Sequence, residues 1–235
     1  MSSMPKTVLV VAAHADDEVL GCGGTIARHV TEGDAAHVVF LADGVGSRSV
    51  GAASASQALR ERKNAAAVAH RILGIQSAHH LGFPDNRLDS LPLLDIVKAL
   101  ESILEKLAPD VIYTHHHGDL NVDHRVAHKA VLTACRPQPG QCAREIHAFE
   151  VASSTEWNNP VIEPFTPQLY VDITPWLDKK MAALRAYQGE IRAAPHSRSL
   201  EHVEALAVHR GMCAGVAAAE AFMTIRMVRQ AKKDK

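Results

Sequence analysis

The sequence predicts an α/β protein with a Rossmann-like, mostly parallel sheet and helices on both faces, and three observations carry that reading. Continuous apolar runs such as residues 7–13 (TVLVVAA) and 36–42 (AHVVFLA) suit strands covered on both faces. Segments with helical spacing alternate with these runs, and two runs end in a histidine, at His14 and His115. At 235 residues the chain fits a single domain. Residues 5–135 form its core and carry both polar motifs, while 136–235 add strands, helices and active-site loops.

Taken in order, residues 7–13 are the first expected strand. Asp16 and Asp17 then precede Val19, Leu20 and the glycine group 21–24 (GCGG), read as a tight loop that brings the backbone close to the polar motif. A helix is expected over 25–31, ending near Gly33. Residues 36–42 repeat the strand pattern, and the Gly, Ser and Ala-rich stretch 43–56 reads as a loop of the kind that lines a site. Good helix formers fill 57–73 and stop at Gly74. Leu93, Ile96, Val97, Leu100, Ile103, Leu104 and Leu107 recur at helical spacing after Ser90 and Pro92, with Pro109 closing the helix. A third strand is expected at 110–114 (DVIYT), a helix at 125–135, strands at 146–152 and 169–173, and a helix start at Thr174-Pro175. Stretches 158–167 and 193–199 are polar and contain proline, so they are expected to wrap the sheet edge, and the final AKKDK to fray.

Composition excludes several classes. Hydrophobic residues at 47% and charged residues at 22% argue against disorder, collagen and coiled coil. The 25 basic and 26 acidic side chains leave a formal charge of −1, so no general field attracts nucleic acid, which is not expected as a partner. No apolar run approaches the roughly 20 residues of a membrane helix, so no membrane insertion and a cytoplasmic location are expected. Four cysteines without a CxxC pair indicate reduced thiols rather than a disulfide scaffold. Histidine stands out, with 15 residues against two Trp, three Tyr and five Phe. It binds metals and moves protons at neutral pH.

Two polar clusters follow strands and precede helices, at the sheet edge where open α/β folds bind ligands. The first is residues 13–18 (AHADDE), where acidic side chains also suit a helix N-terminus for capping and dipole reasons. The second is 115–125 (HHHGDLNVDHR), in which eight of eleven residues can bind a metal or hydrogen-bond a substrate. Three ligands drawn from His and Asp, with water in the fourth position, describe a catalytic zinc site, and an additional carboxylate beside it serves as base. Gly-x-Ser-x-Gly and His-Glu-x-x-His are absent from the sequence, which weakens the serine-esterase and zincin readings. A two-metal phosphoesterase usually needs more carboxylates than these clusters offer.

The two motifs resemble those of the PIG-L/LmbE-like family of zinc-dependent N-acetylglucosamine deacetylases, A-H-P-D-D-E and a second motif ending in D-H. Here they read Ala13-His14-Ala15-Asp16-Asp17-Glu18 and Asp123-His124. The resemblance extends to Gly21 to Gly24, to Leu81-Gly82-Phe83-Pro84-Asp85 and to Arg210-Gly211 with Ala219-Glu220-Ala221-Phe222. It implies that His14, Asp17 and His124 hold one zinc ion per chain, that Asp16 is the general base, and that the substrate is a small amino sugar or its conjugate. Many members carry H-x-D-H in the second motif, whereas this chain has Asn121-Val122-Asp123-His124. Asn121 donates a hydrogen bond but no proton, so His196 is the candidate for stabilising the oxyanion, a surface position being the alternative. Asp123 is expected to orient a neighbouring histidine. Asn121, Arg60, Trp157 and His117 are the candidate substrate contacts, with Arg60 and Arg62 alternatively on a solvated helix face. His79 and His80, near a strand end, are weighed with them only as neighbours of substrate. Homo-oligomerisation is left open. The competing function is a non-catalytic, metal-containing sugar- or nucleotide-binding module, against which Asp16 argues, since binding alone needs no base beside the ligands.

Overall fold

The computed structural model describes residues 4–44, 46, 52–138 and 143–229. Among them a seven-stranded sheet has the order β3-β2-β1-β4-β5-β7-β6. The centre is β1 (Thr7–Ala12), whose β-branched and leucine side chains are buried on both faces after the first residue. It pairs in parallel with β2 (Ala35–Ala42) on one side and with β4 (Val111–His115) on the other. Parallel pairing continues to β3 (Ser77–Phe83) beyond β2 and to β5 (Glu145–Phe149) beyond β4. The antiparallel strand β7 (Ala219–Met227) then joins β5 to the edge strand β6 (Leu169–Asp172). The mostly parallel Rossmann-like sheet is therefore as expected, with β7 its one antiparallel strand among the described residues.

Alternate side chains of β1 feed two cores. Val8, Val10 and Ala12 face a layer made by α1 (Asp17–Thr31), α2 (Ala52–Leu73), α5 (Leu177–Ala186) and α6 (Leu200–Ala214). Leu9 and Val11 face α3 (Leu93–Leu107) and α4 (Val122–Ala134). Strand order reverses direction between β1 and β4, the switch point at which such sheets open a crevice at their carboxyl ends. His14 follows β1 there, and His115 ends β4.

Several sequence expectations are corrected. The glycine group is not a loop before a helix: α1 already starts at Asp17 and runs through it, broken only at Cys22 (φ −148°, ψ 25°). Its glycines serve helix-to-sheet packing rather than the polar motif, since a Cβ on Gly21 would run into the Phe149 ring and one on Gly24 would meet Ile173 at 2.7 Å. Glu220 supplies what the break at Cys22 takes away. Its carboxylate accepts from the Gly24 and Thr25 N–H groups at 2.9 and 2.7 Å, and Lys180 closes the pair at 2.6 Å while donating to Leu20 O at 2.9 Å. The strand expected over 146–152 ends at Phe149, and the helix expected from 125 starts at Val122, capped by Asn121. The helix expected from 57 starts at Ala52 and shortens the 43–56 loop, of which 45 and 47–51 lie outside the described residues, as do Cys142 and the AKKDK end. Strands β3 and β7 and helix α6 are additions to the expected elements. His79 and His80 lie within β3 rather than at a strand end.

Candidate active site

The first motif leaves the buried strand β1 and turns into α1 with Asp16 in a left-handed backbone conformation (φ 122°). A non-glycine residue rarely adopts it, and it persists only where the surrounding structure holds it. The turn is held from inside. Asp16 N–H donates to Glu18 Oε2 at 3.0 Å, and His14 N–H donates to Asp17 Oδ2 at 2.8 Å. Glu18, itself wholly buried, accepts from the Tyr187 hydroxyl at 2.6 Å and lies 3.2 Å from His70 Nε2. Capping does not explain Asp16, whose side chain makes no cap hydrogen bond.

Three overlapping groups of His and Asp bring ligand atoms within 4.8 Å: His14, Asp17 and His124; His115, Asp119 and His124; and His14, Asp85 and Asp123. Hydrogen bonding separates them. Asp123 accepts backbone N–H groups on both oxygens, from Asn86 at 2.7 Å and Leu88 at 3.0 Å, and with Asp85 it lies 3.1 Å from His14 Nε2. Those two carboxylates favour a proton on His14 Nε2, and Nδ1 lies 3.4 Å from Asp17 Oδ2. On the other side, Asp119 Oδ2 lies 3.2 Å from His124 Nδ1, which frees Nε2 toward the same Asp17 oxygen at 3.3 Å. Asp119 is in turn fixed by Thr155 at 2.7 Å, by the Asn121 N–H at 2.9 Å and by Ser154. His115 Nε2 is occupied, accepting the Ala13 N–H at 2.8 Å, and its ring stacks on His124 at 3.9 Å.

Asp17 Oδ1 and His124 Nε2 are buried without a hydrogen-bond partner. Unpaired buried polar atoms are costly unless something completes them. With His14 Nδ1 they form a donor set of one carboxylate and two imidazoles, a composition that suits zinc. The field agrees. Against the burial that disfavours charge, Asp17 and Asp119 raise the His124 imidazole to about 9, and Asp123, Asp17 and Asp85 hold His14 above its ordinary value. Asp119, again against burial, is pulled down to about 2, chiefly by His124. Such an excess of carboxylate around two imidazoles attracts a cation, and a divalent ion displaces the protons.

Asp16 stands beside this set with a different environment. Burial pushes its carboxyl up to about 7, opposed mainly by Arg198, whose Nη1 donates to Oδ2 at 3.2 Å. Oδ1 has no partner. Arg198 Nη1 is also 3.8 Å from Glu190, which pairs with Arg62 at 3.1 Å.

The predicted substrate contacts fall differently. Asn121 is the N-cap of α4: its Oδ1 accepts from the Asp123 N–H at 2.8 Å while Nδ2 donates to Asn86 at 3.3 Å. Arg60 is exposed on α2, and Arg62 one half-turn on reaches inward to Gly44 and Glu190. His117 is exposed against the rings of His116 and His128. Trp157, 53% exposed, meets His196 edge-on at 5.5 Å, and His196 Nδ1 accepts the Arg198 N–H at 3.0 Å, so His196 buttresses Arg198. The stretches expected to wrap the sheet edge instead cover the carboxyl end, one through Glu163 O accepting from His116 and the other through Arg198. Asp85, Asp119, Tyr187, Glu190 and Arg198 carry no assigned role in the sequence; the second polar motif signals Asp119, the Leu81 to Asp85 segment signals Asp85, and nothing comparable points to Tyr187 or Glu190.

A family described as PIG-L: GlcNAc-PI de-N-acetylase matches residues 9–135. The uncharacterized deacetylase YaiS of Escherichia coli (strain K12) is 31% identical over 189 residues, covering 78% of this chain and 91% of the relative. The 4-oxalmesaconate hydratase of Pseudomonas putida KT2440 is 30% identical over 208 residues, covering 81% and 76%. Among solved structures, the conserved protein TT1542 of Thermus thermophilus aligns with a TM-score of 0.77 at 27% identity, covering 98% of this chain and 99% of that one. Among the described residues no helix is long and apolar enough to cross a membrane.

Proposed function

The chain belongs to the PIG-L (GlcNAc-PI de-N-acetylase) family, and on that premise we propose that it hydrolyses the N-acetyl group of an N-acetylglucosamine-type sugar or sugar conjugate. One zinc ion sits on His14, Asp17 and His124 in this reading, and Asp16 is the general base. The observation that carries it is chemical incompleteness: Asp16 Oδ1 and Asp17 Oδ1 are buried carboxylate oxygens of one site without a hydrogen-bond partner, and His124 Nε2 faces only the Asp17 carboxylate, at 3.3 Å. When bound there, zinc supplies a Lewis acid that polarises an amide carbonyl and acidifies water.

The chain's own groups complete the reaction. Asp123 and Asp119 hold the His14 and His124 rings in the tautomers that leave Nδ1 and Nε2 free. Asp16 Oδ1 takes a proton from the attacking water as its oxygen bonds to the acetyl carbon. The same carboxyl returns that proton to the sugar nitrogen as the C–N bond breaks, giving acetate and a primary amine. Burial raises this carboxyl above its ordinary range, which favours its holding the proton between the two halves of that exchange. No covalent acyl intermediate is needed. A module that only held a ligand would have no use for a buried carboxylate with one unpaired oxygen beside the ligand set, which tells against the non-catalytic reading.

The test is acetate and amine release from N-acetylglucosamine and its glycosides by zinc-loaded protein, compared with Asp16→Asn. The expected result is turnover that falls by about 10²- to 10⁴-fold in the variant with zinc retained. Undiminished turnover in the variant overturns the assignment of Asp16. Likeness to the hydratase favours one second reading, addition of water to an unsaturated substrate. Consumption of an unsaturated carboxylate, with no acetate from any N-acetyl sugar, would establish it instead.

A further inference from the structure

Asp16 is gripped at two points by one stretch of chain more than 170 residues away in sequence, the segment 187–199 between α5 and α6. At its start, Tyr187 is buried and its hydroxyl donates to Glu18 Oε1 at 2.6 Å, while the other oxygen of Glu18 accepts the Asp16 N–H at 3.0 Å. At its end, Arg198 Nη1 donates to Asp16 Oδ2 at 3.2 Å. Between them Glu190 ties the segment to α2 through Arg62 at 3.1 Å, and His196 accepts the backbone N–H of Arg198 at 3.0 Å. One contact thus holds the left-handed backbone of Asp16 and the other holds its carboxylate.

As a stabilising device this pair is poorly built. A buried ion pair offsets its desolvation only when the remaining lone pairs and protons find partners. Here Asp16 Oδ1 and Arg198 Nε are both buried and unpartnered. What the contact does achieve is selection, since it occupies Oδ2 and leaves Oδ1 as the carboxylate oxygen without a partner.

We propose that residues 187–199 form a positioning strap for the general base, in which Arg198 orients the Asp16 carboxylate with Oδ1 toward the substrate and Tyr187, through Glu18, sets its backbone. The inference rests on the reading of Asp16 as the base. Arg198 and Tyr187 are positioning residues that act through Asp16, which gives them a signature that general structural support lacks.

The experiment is a double-mutant cycle on zinc-loaded protein with N-acetylglucosamine as the probe, reading kcat, KM, zinc content and amide hydrogen exchange. Arg198→Gln is expected to lower kcat about 10- to 100-fold with KM within about threefold and zinc content unchanged. Tyr187→Phe lowers kcat about 3- to 10-fold. In an Asp16→Ala background either change alters kcat by less than about twofold. Amide exchange of residues 14–18 rises at least about fivefold in Tyr187→Phe and stays within about twofold in Arg198→Gln, while the strands stay protected in both. Arg198→Lys, which keeps the charge without the planar fork, recovers only part of the loss and serves should the glutamine variant fail to fold. A kcat within about twofold of wild type in Arg198→Gln, an equal loss in the Asp16→Ala background, or loss of zinc overturns the inference. If Asp16→Ala is itself as active as wild type, the failure lies with the base assignment instead.

Discussion

Replacing Glu220 with glutamine removes the charge that completes the buried pair behind the active-site helix. The carboxylate sits 2.6 Å from Lys180 Nζ and also accepts the Gly24 and Thr25 N–H groups, which the break at Cys22 has released from the ladder of α1. Lys180 and Glu220 are 3% and 4% exposed, so water does not take over the orphaned ammonium. Breaking a buried pair by removing one partner costs about 3–5 kcal/mol. For a domain of this size each kcal/mol moves Tm by roughly 2–4 °C, so a fall of about 6–20 °C is expected. Lys180→Met costs less than Glu220→Gln, because the carboxylate keeps two N–H donors at the start of a helical half. The Lys180→Met/Glu220→Gln double variant recovers at least about 1 kcal/mol relative to Glu220→Gln alone, since no charge is left buried. Urea unfolding of zinc-loaded protein, with Cm compared at constant m, reads all three variants. A Glu220→Gln cost below about 1 kcal/mol, or a double variant no better than that single one, refutes the reasoning.

Two other perturbations follow from the same geometry. Gly24→Ala places a Cβ 2.7 Å from the wholly buried Ile173 and is expected to cost about 1–3 kcal/mol in urea unfolding, whereas Gly189→Ala, with nothing within 4 Å, stays within about 0.5 kcal/mol; equal costs contradict the packing role of Gly24. Asp119→Asn keeps the shape but weakens the hold on His124 Nδ1, so zinc affinity measured against a chromophoric chelator falls about 10- to 100-fold; an unchanged affinity removes Asp119 from the support of the ligand set.

Strands buried on both faces are legible in the sequence because no charged residue interrupts them: β1 and β2 read directly as VLVV and HVVFLA. Both polar motifs are legible for a related reason, since each follows such a strand at its carboxyl end. Strand β3 is not, because it is an edge strand that alternates half-buried and exposed positions and carries Ser77, His79, His80 and Gly82. Helix α6 buries only Val203, Ala207 and Gly211, a narrow stripe at intervals of four that composition does not distinguish from a polar loop. The glycine group misleads because glycine within a helix signals a turn locally, while its reason here, contact with Phe149 and Ile173, lies far along the chain. The same holds at the site. His14, Asp16, Asp17 and His124 stand in compact motifs, but Tyr187, Glu190 and Arg198 reach them through the fold, and only the tertiary structure joins a residue at 198 to one at 16.

The central claim is that His14, Asp17 and His124 hold one metal ion, and the metal content of untagged protein tests it without knowledge of the substrate. Mass spectrometry of wild type, His14→Ala and His124→Ala after zinc reconstitution is expected to give about one zinc per wild-type chain and a loss in both variants. Wild-type protein that stays metal-free, or variants that retain the ion, would contradict the ligand set and the hydrolytic chemistry built on it.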